Sequence, residues 1–306
     1  MLLETSHTTR YLYEEPVSQC LSEARVTPRV CPGQRVLATR LEIHPDPAVM
    51  ETRLDYFGNR VHTFSIFRGH DRFTTTAISV VEVSSAPTGT KPDIAWEDAR
   101  DQVAGIAGDE QLAAFEFVFS SPFVPASPEL AAYGRESFQP GRPLAEAVHE
   151  LSHRIHKDFT YLPKSTSIDM PLLEVFHNRC GVCQDFSHVM IGVLRSLRLP
   201  ARYVSGYLRS GKNYQGAEAS HAWVAAFVPG AGWLSFDPTN DAIPSEGHVT
   251  LGWGRDYGDV TPVKGIALGG GRQTVEVEVH VLPLEKEASE DAPSAGPNPS
   301  PRAAES

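Results

Sequence analysis

The stretch Arg179-Cys-Gly-Val-Cys-Gln-Asp-Phe-Ser-His188, continued by the apolar run to Leu199, decides how this chain is read. From Cys183 onward, Phe186, Val189, Met190, Val193, Leu194 and Leu197 recur at i, i+3, i+4, i+7, i+8 and i+11, which predicts an amphipathic helix over 183–199 that Pro200 ends. A cysteine that opens a helix sits where several backbone N–H groups and the positive end of the helix dipole point outward. Both favour thiolate over thiol, and the same N–H groups can stabilise the oxyanion of a tetrahedral intermediate. Cys183 is therefore the candidate nucleophile, with half of an oxyanion hole supplied by its own helix.

The chain after this helix reads as strands at 201–208, 221–227 and 233–237, the last two joined by Val228-Pro-Gly-Ala-Gly232, which has hairpin composition. If Phe227 pairs with Ala231, counting outward sets His221 opposite Asp237 on one sheet face, close enough for a carboxylate to hold an imidazole. A one-residue slip would separate them onto opposite faces. Cysteine, a histidine base and an orienting carboxylate form the pattern of nucleophilic catalysis on carbonyl carbon.

Four stretches together resemble the bacterial branch of the transglutaminase-like superfamily, whose core is similar to that of papain-like proteases. They are Arg179 to His188, Pro200-Ala-Arg-Tyr-Val-Ser-Gly-Tyr207, Ser220-His-Ala-Trp-Val224 and Trp233-Leu-Ser-Phe-Asp-Pro-Thr-Asn240. Tyr11-x-Tyr13-x-x-Pro16 and Asp55-Tyr-Phe-Gly-Asn59 resemble the β-rich N-terminal domain that accompanies this core. The resemblance implies an α+β fold and makes Cys183 the nucleophile, His221 its general base and acid, and Asp237 the group that orients His221. Tyr161, upstream of the nucleophile, is the candidate for a second oxyanion donor. The implied reaction is acyl transfer on peptide or glutamine-type amides, with hydrolysis favoured because water is the default acceptor. Glutamine crosslinking and a non-catalytic peptide-binding module are the alternatives.

Outside these motifs, residues 8–13, 37–44, 60–67 and 74–83 read as strands, giving a β-rich domain over 1–85. Prolines at 87, 92, 122, 125, 128, 140 and 143 mark 86–142 as a mixed helical and irregular linker. The core spans 143–284, opening with a helix of about 14 residues that carries Leu144, Val148, Leu151 and Ile155 and closing with the alternation Val275-Glu-Val-Glu-Val-His-Val281. Residues 285–306, without a large apolar residue after 284, are expected to be a disordered tail.

A net charge of −11 across 306 residues argues against nucleic-acid or anionic-membrane partners; a protein or peptide substrate is what the resemblance implies. No apolar run reaches the roughly 20 residues that a spanning helix needs. The opening Met1-Leu-Leu-Glu-Thr lacks the features of a secretory leader, so a cytoplasmic location with reduced thiols is expected.

Cys180 and Cys183 form a C-x-x-C pair, but Cys20 and Cys31 are too far apart in sequence to complete a zinc site, and no metal or cofactor is implied. Cys180 reads as a packed or half-exposed thiol. His188 lies about 140° round the helix from Cys183 and reads as packing or surface. His149, His153 and His156 read as a solvated helix face, and Gly269-Gly-Gly271 as a loop. Trp223, Trp233 and Phe227 share the face of the triad, as core or as pocket wall.

Overall fold

The computed structural model describes residues 1–84, 94–106, 108–163, 165–211 and 214–284. The expected tail at 285–306 lies outside the described residues. The chain opens with five strands: β1 (Leu2–Ala24), β2 (Gln34–His44), β3 (Val49–Leu54), β4 (Arg60–Ile66) and β5 (His70–Val83). Four helices follow, α1 (Trp96–Ala104), α2 (Asp109–Phe115), α3 (Pro128–Gly134) and α4 (Leu144–Asp158). Then come β6 (Thr160–Tyr161), α5 (Leu172–Asn178), β7 (Cys180–Gly181), α6 (Cys183–Ser196), β8 (Ala201–Leu208), β9 (His221–Val228), β10 (Gly232–Phe236) and β11 (His248–Gly254). The short α7 (Tyr257–Val260) and the hairpin of β12 (Val263–Gly269) and β13 (Gln273–Pro283) complete the order. The fold is α+β, as the sequence implies.

The 23-residue β1 organises the larger sheet, burying Leu3, Thr5, His7 and Thr9 at a period of two. Along one edge it pairs with β5 as far as Val17 and then with β4 from Cys20, and along the other with β13 as far as Tyr13 and then with β12 from Val17, with register irregularities between residues 12 and 17 in the β5 pairing and 17 and 19 in the β12 pairing. The expected boundary at 143–284 is thereby corrected. Residues 263–283 return to the N-terminal sheet, because a strand this long presents a second edge of unpaired N–H and C=O groups that they satisfy. Gly269, Gly270 and Gly271, all at positive φ, form the turn of that hairpin. The expected linker is corrected as well: Ala99, Val124, Leu130, Tyr133 and Phe138 are buried in one cluster with α4 and α6. These residues supply part of the wall around α6, and their prolines reflect short, tightly turned helices.

The second sheet runs β10-β9-β8-β11. It meets the first where Leu3, Val81, Val83, Val279 and Val281 pack on Tyr207, Val249 and Leu251. The outer edge of β11 is closed by two side-chain amides from the N-terminal region. Gln34 donates to Thr250 O at 2.7 Å and accepts from Thr250 N at 2.8 Å. Asn59 donates to Trp253 O at 2.8 Å and accepts from Trp253 N at 3.0 Å. Each amide acts as one rung of a strand ladder on either side of the bulge in β11, where the register shifts between Thr250 and Gly252.

α6 is enclosed on nearly every face, which is why its sequence is apolar beyond a single stripe. Its one buried cation, Arg195, donates to the carbonyls of Phe117 (2.9 Å), Ala201 (2.9 Å) and Arg255 (2.6 Å) and to the Ser121 hydroxyl (3.0 Å). Burial pulls its guanidinium down to about 10, still charged at neutral pH. Replacing it by methionine keeps the volume but strands three carbonyls. Chemical denaturation of Arg195→Met should show a loss of about 2–3 kcal/mol, and an unchanged midpoint would count against this stitching role.

Candidate active site

Cys183 is the first residue of α6, preceded by Val182 in extended conformation. The Val182 N–H donates to Asp185 Oδ2 at 2.8 Å, and the Thr166 hydroxyl donates to the same oxygen at 2.7 Å, so a carboxylate in the first turn fixes how the chain enters the helix. A Cβ on Gly181 would come within 2.5 Å of that oxygen, which requires glycine there. Just before it, β7 pairs in parallel with β6, setting Tyr161 beside Gly181. Cys183 is 9% exposed.

His221 is the first residue of β9 and Asp237 follows the last residue of β10. Their pairing corrects the expected register. Phe227 faces Trp233 and Ala225 faces Ser235, so one step beyond the ladder Asp237 lies opposite Trp223, with His221 diagonal to it. The turn is centred one residue later than expected: Ala231 N–H donates to Val228 O at 2.9 Å and Gly230 has φ +80°, which matches Pro-Gly at the central positions of a type II turn. Moving a turn by one residue moves the register by two, and that preserves the face.

The histidine and carboxylate meet with Nε2 and Oδ2 2.8 Å apart, both side chains fully buried. Asp237 Oδ1 accepts from the backbone N–H groups of Thr239 (3.0 Å) and Asn240 (3.3 Å). Oδ2 also accepts from Asn240 Nδ2 at 2.9 Å, while His248 Nε2 lies 3.4 Å away. Burial would raise the Asp237 carboxyl, but the charge of His221 and these donors hold it well below the usual range. Burial likewise lowers His221, and is outweighed by the Asp237 charge and by Cys183, which together lift the imidazolium to about 10. Nδ1 of His221 has no hydrogen-bond partner, so the ring is anchored through Nε2 and its other nitrogen is left for the sulfur.

The segment before β9 lies over this nitrogen. Gly216 has φ +84°, and a Cβ there would sit 3.0 Å from His221 Nδ1 and 3.4 Å from the Tyr161 hydroxyl. Neighbouring Gln215 is held by Asn240, donating to its Oδ1 at 2.8 Å. The Tyr161 hydroxyl is pushed up to about 12 by burial and then by the charges of Cys183 and Asp237, so at neutral pH it carries its proton.

The structure thus brings Cys183, His221, Asp237 and Tyr161 to one place. Asn240, His248 and Gly216 join them without having been singled out from sequence. Asn240 was visible as the end of an Asp-Pro-Thr-Asn turn, whereas His248 sits on β11, a strand with two glycines that the sequence did not announce. Trp223 settles as the wall against which both imidazoles rest, 6.3 Å from the ring of His221 and 5.5 Å from that of His248. Trp233 packs on Phe227 and on Phe117.

His188 is packing, as expected. It lies against Phe123 and Tyr203, accepts from the Tyr257 N–H at 3.2 Å, and is driven by burial to about 3. The exposed histidines of α4 do more than face solvent: His153 Nδ1 lies 2.7 Å from Asp241 Oδ2, and His156 Nδ1 donates to Thr239 O at 2.9 Å. Both brace the loop that follows Asp237. All four cysteines are free, Cys180 half-buried on β7. Among the described residues no three His, Cys, Asp or Glu side chains are grouped to hold a metal ion, and no helix is long and apolar enough to cross a membrane.

Two family models match the chain, a bacterial transglutaminase-like N-terminal region over residues 3–82 and the transglutaminase-like superfamily over residues 131–238. An uncharacterized protein of Mycobacterium tuberculosis is 38% identical over 297 residues, covering 92% of this chain and 93% of its own length. A protein-glutamine gamma-glutamyltransferase of Pseudomonas aeruginosa is 37% identical over 111 residues, 34% of this chain and 17% of that protein. In fold, a Cytophaga hutchinsonii structure described as a "putative cysteine protease" superposes with a TM-score of 0.74 at 20% identity, covering 94% of this chain and 92% of that one.

Proposed function

We infer that this chain, which belongs to the transglutaminase-like superfamily and carries its bacterial N-terminal region, is a cysteine-nucleophile acyl-transfer enzyme acting on amide bonds of proteins or peptides. The observation that carries this reading is the buried His221–Asp237 pair, joined through Nε2, with Nδ1 unpartnered beside the cysteine that opens α6.

In this mechanism His221 Nδ1 takes the Cys183 proton when the pair forms, before substrate arrives, and the deprotonated sulfur attacks the amide carbon. Negative charge gathers on the carbonyl oxygen, where first-turn N–H groups of α6 and the Tyr161 hydroxyl can donate to it. As the C–N bond breaks, Nδ1 returns the proton to the departing amine and leaves a thioester. Water or a second amine then gives a proton to Nδ1 and attacks the thioester, and as the C–S bond breaks the sulfur leaves with the electron pair, restoring the resting pair with the proton on Nδ1. Asp237 stays ionised throughout, holding the ring and balancing the imidazolium.

Hydrolysis is the reading we favour, because water reaches any opened thioester that the site does not seal off. Transamidation is the second reading, favoured by the gamma-glutamyltransferase relative. Two measurements test these. Iodoacetamide at about pH 6 should label Cys183 faster than Cys20 or Cys31, and equal rates would defeat the nucleophile assignment. With a glutamine-containing peptide and a labelled primary amine, cleavage or deamidation supports hydrolysis, whereas stable incorporation of the label would overturn it in favour of crosslinking.

A further inference from the structure

The carboxylate that holds His221 has a second imidazole beside it. His248, the first residue of β11, is buried at 4% exposure. Its tautomer follows from its partners: the Ser245 N–H points at Nδ1 from 3.3 Å, so Nδ1 accepts and the ring proton sits on Nε2, 3.4 Å from Asp237 Oδ2. The ring cannot swing away easily, since Trp223 stands at 90° to it on one contact and Tyr214 packs on another. Oδ2 is thereby approached by His221, Asn240 and His248, three side chains from β9, the loop after β10, and β11.

We propose that His248 is a positioning residue for the reaction: it shares the Oδ2 charge of Asp237, so that the carboxylate orients His221 without gripping its proton too tightly to release to a leaving amine. The proposal rests on the Cys183–His221–Asp237 reading. A carboxylate oxygen that loses one of three donors concentrates its charge on those that remain, and the nearest is the His221 imidazolium at 2.8 Å. The titratable groups facing His221 are Asp237 and His248 from the second sheet, Cys183 from α6 and Tyr161 from β6, whose hydroxyl keeps its proton up to about 12. Of these, removal of His248 alone strengthens the hold on the imidazolium while leaving every reacting group in place.

The test is the pH dependence of Cys183 alkylation by iodoacetamide in the full chain, which needs no substrate. In His248→Leu the alkaline inflection, where His221 gives up its proton, should move upward by about one pH unit, the tenfold effect of one long charge-assisted hydrogen bond. His248→Gln, whose amide nitrogen can stand where Nε2 was, should restore the parental inflection. His248→Asn, whose shorter amide reaches the Ser245 N–H but not Asp237, should behave like the leucine variant and covers the case in which leucine disturbs folding. An inflection unmoved or lowered in both the leucine and asparagine variants overturns the proposal. A parent in which Cys183 labels no faster than Cys20 and Cys31 overturns the triad reading itself, and with it this inference, and that outcome is visible before any variant is made.

Discussion

Asp237→Asn is expected to lower kcat/KM by roughly 10³–10⁴-fold while leaving the fold in place, the scale on which loss of the orienting carboxylate acts in triads of this logic. The reason lies in the donors around the side chain. Two backbone N–H groups, of Thr239 and Asn240, converge on Oδ1, so an asparagine will keep its oxygen there. Its NH₂ group then occupies the Oδ2 position and points at His221 Nε2. That nitrogen must accept, the ring proton moves to Nδ1, and the one atom that should take a proton from Cys183 already has one. The same substitution has a pH signature in stability. His221, with a folded pKa raised from 6.5 to about 10, contributes stability that is fully present below pH 6.5 and is lost as pH climbs through about 10. Asp237, with its folded pKa depressed from 3.8, contributes stability present above pH 3.8 and lost as pH falls through the depressed value. The gap in thermal midpoint between parent and variant should therefore be wide at about pH 6 and narrow at about pH 10.5. A peptide cleavage or deamidation assay that finds Asp237→Asn within tenfold of the parent would sink the orienting role.

How the site could be read from sequence divides along physical lines. α6 was legible because one helix supplies its own period, a cysteine at its first position and a proline after its end, all local signals. The face shared by His221 and Asp237 was legible because strand parity survives an error of two residues. The register itself was misjudged, although Pro229-Gly230 carried the turn type. What stayed hidden is what depends on distant backbone. β11, reading His-Val-Thr-Leu-Gly-Trp-Gly, has two glycines and no clean alternation, and its glycine at 252 exists because a Cβ there would lie 2.6 Å from Asn59 Oδ1. His248 was lost with that strand. The return of β12 and β13 to β1 was hidden for a similar reason: β1 must be seen as one 23-residue strand before its second edge demands partners. The histidines of α4 looked solvated because a helix period cannot show which loop passes over it.

Asn59 ties the N-terminal region to the strand that carries His248, and its loss should be among the most destabilising single changes available. Asp55-Tyr-Phe-Gly-Asn59 is a turn in which Asp55 Oδ1 accepts from the N–H groups of Phe57 (3.0 Å) and Asn59 (2.8 Å), and Asp55 Oδ2 accepts from Asn59 Nδ2 at 3.1 Å. So aimed, the amide bonds both backbone groups of Trp253 and receives the Arg29 guanidinium at 2.7 Å. Arg29 lies over the Trp253 ring at 3.3 Å, and Arg202 over the same ring at 3.8 Å. Asn59→Ala strands a half-buried N–H, a half-buried carbonyl and a guanidinium proton together, and opens a gap over Gly252. At roughly 1–3 kcal/mol for each unmet buried group, the expected cost is about 3–5 kcal/mol, a large share of the 5–15 kcal/mol that holds an ordinary domain together. Aspartate at 59 keeps the acceptor for Trp253 N–H and Arg29 but cannot donate to Trp253 O, and it sets a second carboxylate against Asp55. With the Arg29 guanidinium 2.7 Å away to balance the added charge, denaturant unfolding should rank Asn59→Asp between the parent and the alanine variant. Because β11 runs from Trp253 back to His248, the alanine variant should also move the alkaline inflection of Cys183 alkylation upward, in the direction expected of His248→Leu, under conditions where it remains folded. A variant with the parental unfolding midpoint would show that the two sheets hold together without this amide.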